Sequence, residues 1–242
     1  MKKILSLALS AFLLSAVSLT AQDLEEILDN HFEVIGMDEV LETNTIIAKG
    51  KAIQMGTEFP MVLFQKRPDK VRMEAEIQGT KLVQAYNGEN GWAIIPWTGS
   101  MEPQDMTEDQ TKSIKQMGDI DGDLYNWEEK GHTLTFEGEE EMEGTPVYKL
   151  KLEKEDGDVF TYYLDAENYV ILRADSKVDM QGTEVEASSY FSNFKPVQGM
   201  IMPHSIESKV NDQVQSQIVI DSFEIDSEID DSIFEKPAET EE

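Results

Sequence analysis

KGHTLTFEGEEEMEGTPVYKLKLEKEDGDVFTYYLDAENYVILR, residues 130–173, is the stretch whose reading decides the fold. It contains four extended segments rich in Val, Tyr, Phe, Thr, Leu and Ile. Short turns separate them: Glu143-Gly144, Asp156-Gly157, and Asp165 to Asn168. From Thr145 to Lys154, Tyr148, Leu150 and Leu152 alternate with Lys149, Lys151 and Glu153. A period of two marks a strand with one dry and one wet face. Asp-Gly between two such runs is a strong hairpin signal, because glycine takes a positive φ at no steric cost. The stretch is therefore read as an antiparallel meander with one apolar face.

The same pattern extends outward in both directions. Upstream, extended segments run from Thr43 to Met55, Glu58 to Arg67, Val71 to Ile77, Lys81 to Tyr86 and Trp92 to Pro96. Val71, Met73, Ala75 and Ile77 alternate with Arg72, Glu74 and Glu76. Downstream come Ala174 to Met180, Glu184 to Phe194, Met200 to Val210 and Val214 to Ile225. Tight turns between neighbours favour antiparallel pairing, and about eleven strands are expected in all.

Two helices interrupt the strands. Leu24, Ile27, Leu28, Phe32 and Ile35 recur at helical spacing before Gly36, which predicts a helix over Asp23–Gly36. His31 beside this stripe is read as a structural histidine. Thr107 with Gln110 three residues later fits a capping box, and Glu108 and Asp109 suit a first helical turn. That helix runs to about Met117 and has only Met106, Ile114 and Met117 as apolar content. A weakly apolar helix inside a β meander reads as a flap over the sheet. Asp119, Asp121 and Asp123 resemble the start of a calcium loop, but glycine stands at the fourth position instead of the sixth, so no metal is expected.

Composition sets the address and narrows the chemistry. Lys2 and Lys3, the apolar run Ile4 to Leu19, and Thr20-Ala21 predict a secretory signal peptide over residues 1–21, cut near Ala21. The mature chain, residues 22–237, is read as one domain, with an acidic disordered tail over 238–242. The sequence carries 49 acidic against 20 basic residues, a formal net charge of −29. That field repels nucleic-acid phosphates and anionic headgroups, so no nucleic-acid partner is expected. It contains no cysteine, hence neither disulfides nor an acylated N-terminal cysteine. Only His31, His132 and His204 supply imidazoles. His204 and Ser205 are neighbours on a strand and point to opposite faces, so they form no nucleophile–base pair. No catalytic residue, metal or cofactor is assigned. Apolar surface is abundant instead: the chain has 12 methionines, which repack around irregular apolar ligands.

The order of motifs resembles the LolA-like outer-membrane lipoprotein-sorting proteins, which share a fold with LolB and RseB. The resemblance rests on the signal peptide, the helix ending at Ile35-Gly36, and Thr45 to Gly50 opening the sheet. It continues through Tyr86-Asn-Gly-Glu-Asn-Gly-Trp92, the inserted helix with Asp123-Leu-Tyr125, Lys130-Gly-His132 and Phe136-Glu-Gly. Tyr162-Tyr-Leu-Asp165, Gly199-Met-Ile-Met-Pro203 and Asp230-Asp-Ser-Ile-Phe-Glu-Lys-Pro237 complete it. The resemblance implies a mainly β fold: an incomplete, half-open antiparallel β-barrel wrapped over lid helices, with an apolar cavity for acyl chains. It implies a soluble periplasmic carrier of lipoprotein acyl chains or lipids for sorting to the outer membrane, with an inner-membrane donor and an outer-membrane acceptor as partners. The alternative is an envelope-stress or regulatory protein that senses lipids and binds a protein partner. Within this reading Trp92, Ile94 and Trp97 stand at the cavity mouth and face Met106, Ile114 and Met117 on the flap.

Overall fold

The computed structural model describes residues 23–98, 101–180 and 183–238. The predicted signal peptide, the Gln181-Gly182 turn and residues 239–242 of the predicted tail lie outside them. The described residues form two compact units.

The first unit holds residues 23–35 and Asn126–Ser188. Helix α1 covers residues 23–35. The deciding stretch folds as β7 (Thr133–Met142), β8 (Thr145–Glu153) and β9 (Val159–Asp165), followed by β10 (Ile171–Met180). Register places Leu134 opposite Leu152, Leu152 opposite Phe160, and Leu150 opposite Tyr162. Leu150, Leu152 and Leu164 are fully buried. The alternate residues form the wet face as expected: Lys149 donates to Glu140 at 3.0 Å, and the ring of Tyr163 lies between Lys149 and Arg173 at 6.0 and 5.2 Å.

Helix α1 buries Ile27, Leu28 and His31. His31 Nδ1 donates to the carbonyl of Tyr169 at 2.7 Å, which ties the helix to the turn between β9 and β10. Burial pushes the His31 imidazole below its ordinary value of 6.5, against the smaller opposing effect of that hydrogen bond. Above 6.5 the group is neutral in both folded and unfolded chains. Below 6.5 the unfolded chain takes up a proton that the folded chain refuses, so stability falls as pH drops toward the folded value. Urea midpoints measured across this range should therefore fall more steeply for the wild type than for His31→Gln. Parallel curves would remove His31 as the cause.

The second unit holds Gly36–Tyr125 and residues 189–238. It opens with helix α2 (Met37–Glu42) after Gly36, whose φ of 73° lies in the left-handed region that stops α1. Five strands then follow in meander order: β1 (Thr45–Gln54), β2 (Thr57–Lys66), β3 (Lys70–Ile77), β4 (Thr80–Tyr86) and β5 (Gly91–Ile94). A two-residue β6 (Gln104–Asp105) pairs with β5, and helix α3 spans Glu108–Gln116. After β11 (Thr183–Val197) come β12 (Met200–Val210) and β13 (Gln213–Ile225). The last strand returns to pair with the first: Ala52 lies opposite Ile218 and Gly50 opposite Ile220. Arg67 joins loop to core, donating to the carbonyls of Thr43 and Val40 and to Asp121 at 2.5 Å. The carboxylate of the calcium-like loop is thus committed to a guanidinium.

Among the described residues thirteen strands share one antiparallel sheet in the order β6-β5-β4-β3-β2-β1-β13-β12-β11-β10-β9-β8-β7, with β6 and β7 as its ends. The sheet is thus mainly meander, as the pattern of strands and turns led one to expect, and not closed on itself, as the resemblance implied. It has more than the eleven or so strands expected, and β6 is one that carries no period to read, being two residues long.

Candidate ligand groove

Strand alternation and register sort the second unit's side chains into two faces. On one face Met61 lies opposite Ala75, and Ala75 opposite Leu82. Ile218, Ala52 and Phe59 form the adjacent row. Every one of these side chains is apolar. Together with Met73, Trp97 and Met117 they line an open groove of about 250 Å³. Trp97 and Met117 are exposed walls of it, at 65% and 38% of their surface.

Further along the same face sits α3. Its capping box forms as the sequence predicted: the Thr107 hydroxyl accepts from the Gln110 backbone, and the Gln110 side chain accepts from the Thr107 backbone at 3.0 Å. Ile114, only 3% exposed, packs against Val71 and Tyr86, with Leu63 and Met106 alongside. Lys115 reaches Asp69 at 3.3 Å and lies 5.4 Å from the centre of the Tyr86 ring. Gln65 donates to the carbonyl of Met117 at 2.6 Å. Two glycines allow this close seating. A Cβ at Gly91 would lie 2.6 Å from Thr111 Oγ1, and one at Gly118 would lie 2.4 Å from the carbonyl oxygen of Asp69. The helix is weakly apolar by composition, yet its one buried isoleucine and these ties fix it to the sheet.

The other face is covered by the chain's C-terminal segment. Phe234 is fully buried in a cluster with Ile47 and Ile229, flanked by Val62 and Phe64. Trp92 is 2% exposed among Val83 and Ala85, and its indole N–H donates to the carbonyl of Phe234 at 2.7 Å. The guanidinium of Arg72 lies 5.3 Å from the centre of the Trp92 ring and donates to the carbonyl of Ile233 at 2.5 Å. Asp231 pairs with Lys66 at 2.9 Å, Asn87 donates to Glu235 at 2.7 Å, and Lys236 pairs with Asp105 at 2.7 Å. The acidic run from Ile229 to Lys236 is a packed strap.

The six residues singled out in the sequence therefore fall in three places. Trp97 and Met117 meet at the groove. Met106 and Ile114 lie beneath α3 on the same face. Trp92 and Ile94 pack with Val83 and Ala85 on the opposite face. Reading missed Phe59, Leu82 and Ile218 as groove residues. The alternation in β2 and β4 carries that signal, but only strand pairing shows that these positions share a face with Met61 and Met73. Among the described residues no cluster of three or more His, Asp or Glu side chains is placed to hold a metal. No helix among them is long and apolar enough to cross a membrane.

An open antiparallel sheet with helices and an apolar face is the LolA-like fold. An outer membrane lipoprotein-sorting protein domain from Vibrio parahaemolyticus superposes with a TM-score of 0.59 at 12% identity, covering 88% of this chain and 96% of that one. A LolA superfamily protein, NE2245 from Nitrosomonas europaea, gives 0.56 at 12% identity over 84% and 98% of the two chains. A DUF1329 family protein from Desulfovibrio piger ATCC 29098 gives 0.58 at 15% identity over 86% and 97%. No curated protein matches the chain in sequence. Residues 70–238 match a family described as "uncharacterized protein", and the chain belongs to that family.

Proposed function

We propose that the protein is an exported, periplasmic carrier that holds acyl chains of lipoproteins or other lipids in the groove for transfer toward the outer membrane. The observation that carries this reading is the groove itself: an apolar, open-sided channel on a sheet face, walled by flexible methionines and two exposed apolar side chains. A soluble domain leaves such a surface uncovered when something apolar occupies it. Burying acyl methylenes there stabilises a complex by about 0.8 kcal/mol each. The groove's lining is mostly apolar, with Gln54 and Ser216 as its polar members, and the reading is of binding without catalysis. An inner-membrane donor and an outer-membrane acceptor would be the protein partners.

Mass spectrometry of organic extracts from protein purified without detergent tests this. Acyl lipid or acylated peptide should co-purify at near-stoichiometric amounts, and a fluorescent fatty-acid probe should bind the delipidated protein. Protein that yields no lipid and binds no probe would refute the carrier reading.

A further inference from the structure

The apolar face contains one polar atom that the groove does not explain. His204, on β12, is 6% exposed. Its Nδ1 lies 2.9 Å from the carbonyl oxygen of Ile220. A carbonyl only accepts, so Nδ1 carries a proton, and in the Nδ1–H tautomer Nε2 presents a lone pair. That Nε2 is buried and has no hydrogen-bond partner among the described residues. Phe223 stands edge-on beside the ring at 5.1 Å. Buried polar atoms are nearly always paired, so an orphan acceptor in apolar surroundings points to a donor supplied from elsewhere.

Its position links it to the groove. Ser205 pairs with Val219 and Ile206 with Ile218, which sets His204 opposite Ile220. From there a cross-strand row runs Ile220, Gly50, Met61, Ala75, Leu82. Its last three members line the groove or its base, and at Gly50 the carbonyl oxygen of Val219 stands 2.1 Å from where a Cβ would lie, so the β13 backbone takes the place of a side chain there. Five strand spacings of about 4.8 Å make the row roughly 24 Å long, a length suited to an extended acyl chain.

We propose that His204 is the polar anchor of this face, its Nε2 accepting a hydrogen bond from the hydroxyl of a neutral, long-chain acyl lipid. This deepens the carrier reading and rests on it. A carboxylate would bring a second lone pair against Nε2 within a chain of net charge −29. An ammonium would shed its water among Phe223 and Ile220 without a counter-charge. A hydroxyl supplies the missing proton at small desolvation cost. Met202, two residues away on the same strand face, is a side chain able to repack and open the approach.

The test uses the delipidated full-length mature protein with a matched pair, hexadecanol and its methyl ether, each displacing a fluorescent fatty-acid probe. The wild type should bind the alcohol about tenfold more tightly than the ether, the worth of one added hydrogen bond. Hexadecanoate in its ionised form should gain no such advantage. His204→Asn keeps a donor for the Ile220 carbonyl and lacks Nε2, so it should bind alcohol and ether alike. Nitrogen NMR of the wild type needs no variant: the Nε2 resonance should shift on adding alcohol and stay in place with ether. Equal binding of alcohol and ether by the wild type, or a still Nε2 resonance, overturns the anchor and leaves the acyl groove standing. Failure of every ligand to displace the probe overturns both.

Discussion

Phe234→Ala is expected to destabilise the protein by about 3–5 kcal/mol, the range for removing a fully buried phenylalanine from a packed core. Phe234 has no exposed surface and lies between Ile47 and Ile229. Its removal leaves a cavity on the face opposite the groove. It also loosens the strap whose backbone accepts the Trp92 indole N–H and the Arg72 guanidinium. Those donors would then lie next to an empty space with a less fixed acceptor, which adds to the loss. Glu235→Ala, one residue on, removes only an exposed contact with Asn87 and should shift stability by under about 0.5 kcal/mol. Urea unfolding followed by circular dichroism measures both. A cost below about 1 kcal/mol for Phe234→Ala would mean that the strap is not part of the core.

Met117→Asp and Ile114→Asp should separate binding from folding, although the two residues are three apart on one short segment. Met117 is 38% exposed at the groove wall and is held through its backbone carbonyl by Gln65. An aspartate there stays hydrated, so the fold should keep its stability to within about 0.5 kcal/mol. The charge would nevertheless sit beside the bound chain and should weaken a fluorescent fatty-acid probe by tenfold or more. Ile114 is 3% exposed against Val71 and Tyr86. An aspartate at that point is a buried charge without a partner, expected to cost about 3–5 kcal/mol and to release α3. Lys149→Asp, on the wet face of the other unit, should change probe binding in neither direction. Met117→Asp binding the probe as tightly as the wild type would exclude this wall from the site. Ile114→Asp unfolding at the wild-type urea midpoint would show that α3 is a loose flap after all.

That second outcome bears on how the ligand enters. A helix read as a movable lid is tied to the sheet at Asp69, Tyr86 and Gln65 and seated on two glycines. In the carrier reading α3 is therefore a wall, and the exposed ring of Trp97 with the thioether of Met117 forms the mouth.

The sequence by itself determined the local and periodic features. The alternation of Tyr148, Leu150 and Leu152 with Lys149, Lys151 and Glu153 fixed which face of β8 is dry, because side-chain direction in a strand has a period of two. Thr107 and Gln110 fixed the start of α3, because a capping box closes within one turn. Gly36 marked the end of α1 through its left-handed φ. Neighbouring strands joined by tight turns could hardly pair otherwise, so the meander order was legible too. What only the tertiary structure decided is which distant segments share a face. Trp92 and Ile114 are close in sequence, and both are apolar. The pairing of Trp92 with Ala85 sends its ring to the strap, while Ile114 rests on Val71 and Tyr86 on the other side. Phe234 lies in an acidic run with no period to show what it packs against, yet it fills a pocket made by β1 and β2 nearly two hundred residues earlier. His204 reads in sequence as an ordinary strand histidine; in the fold its Nδ1–H donates to the carbonyl of Ile220 and its buried Nε2 has no partner among the described residues. Hydrophobic patterning fixes whether a side chain is buried; the pairing of strands far apart in the chain fixes what it is buried against.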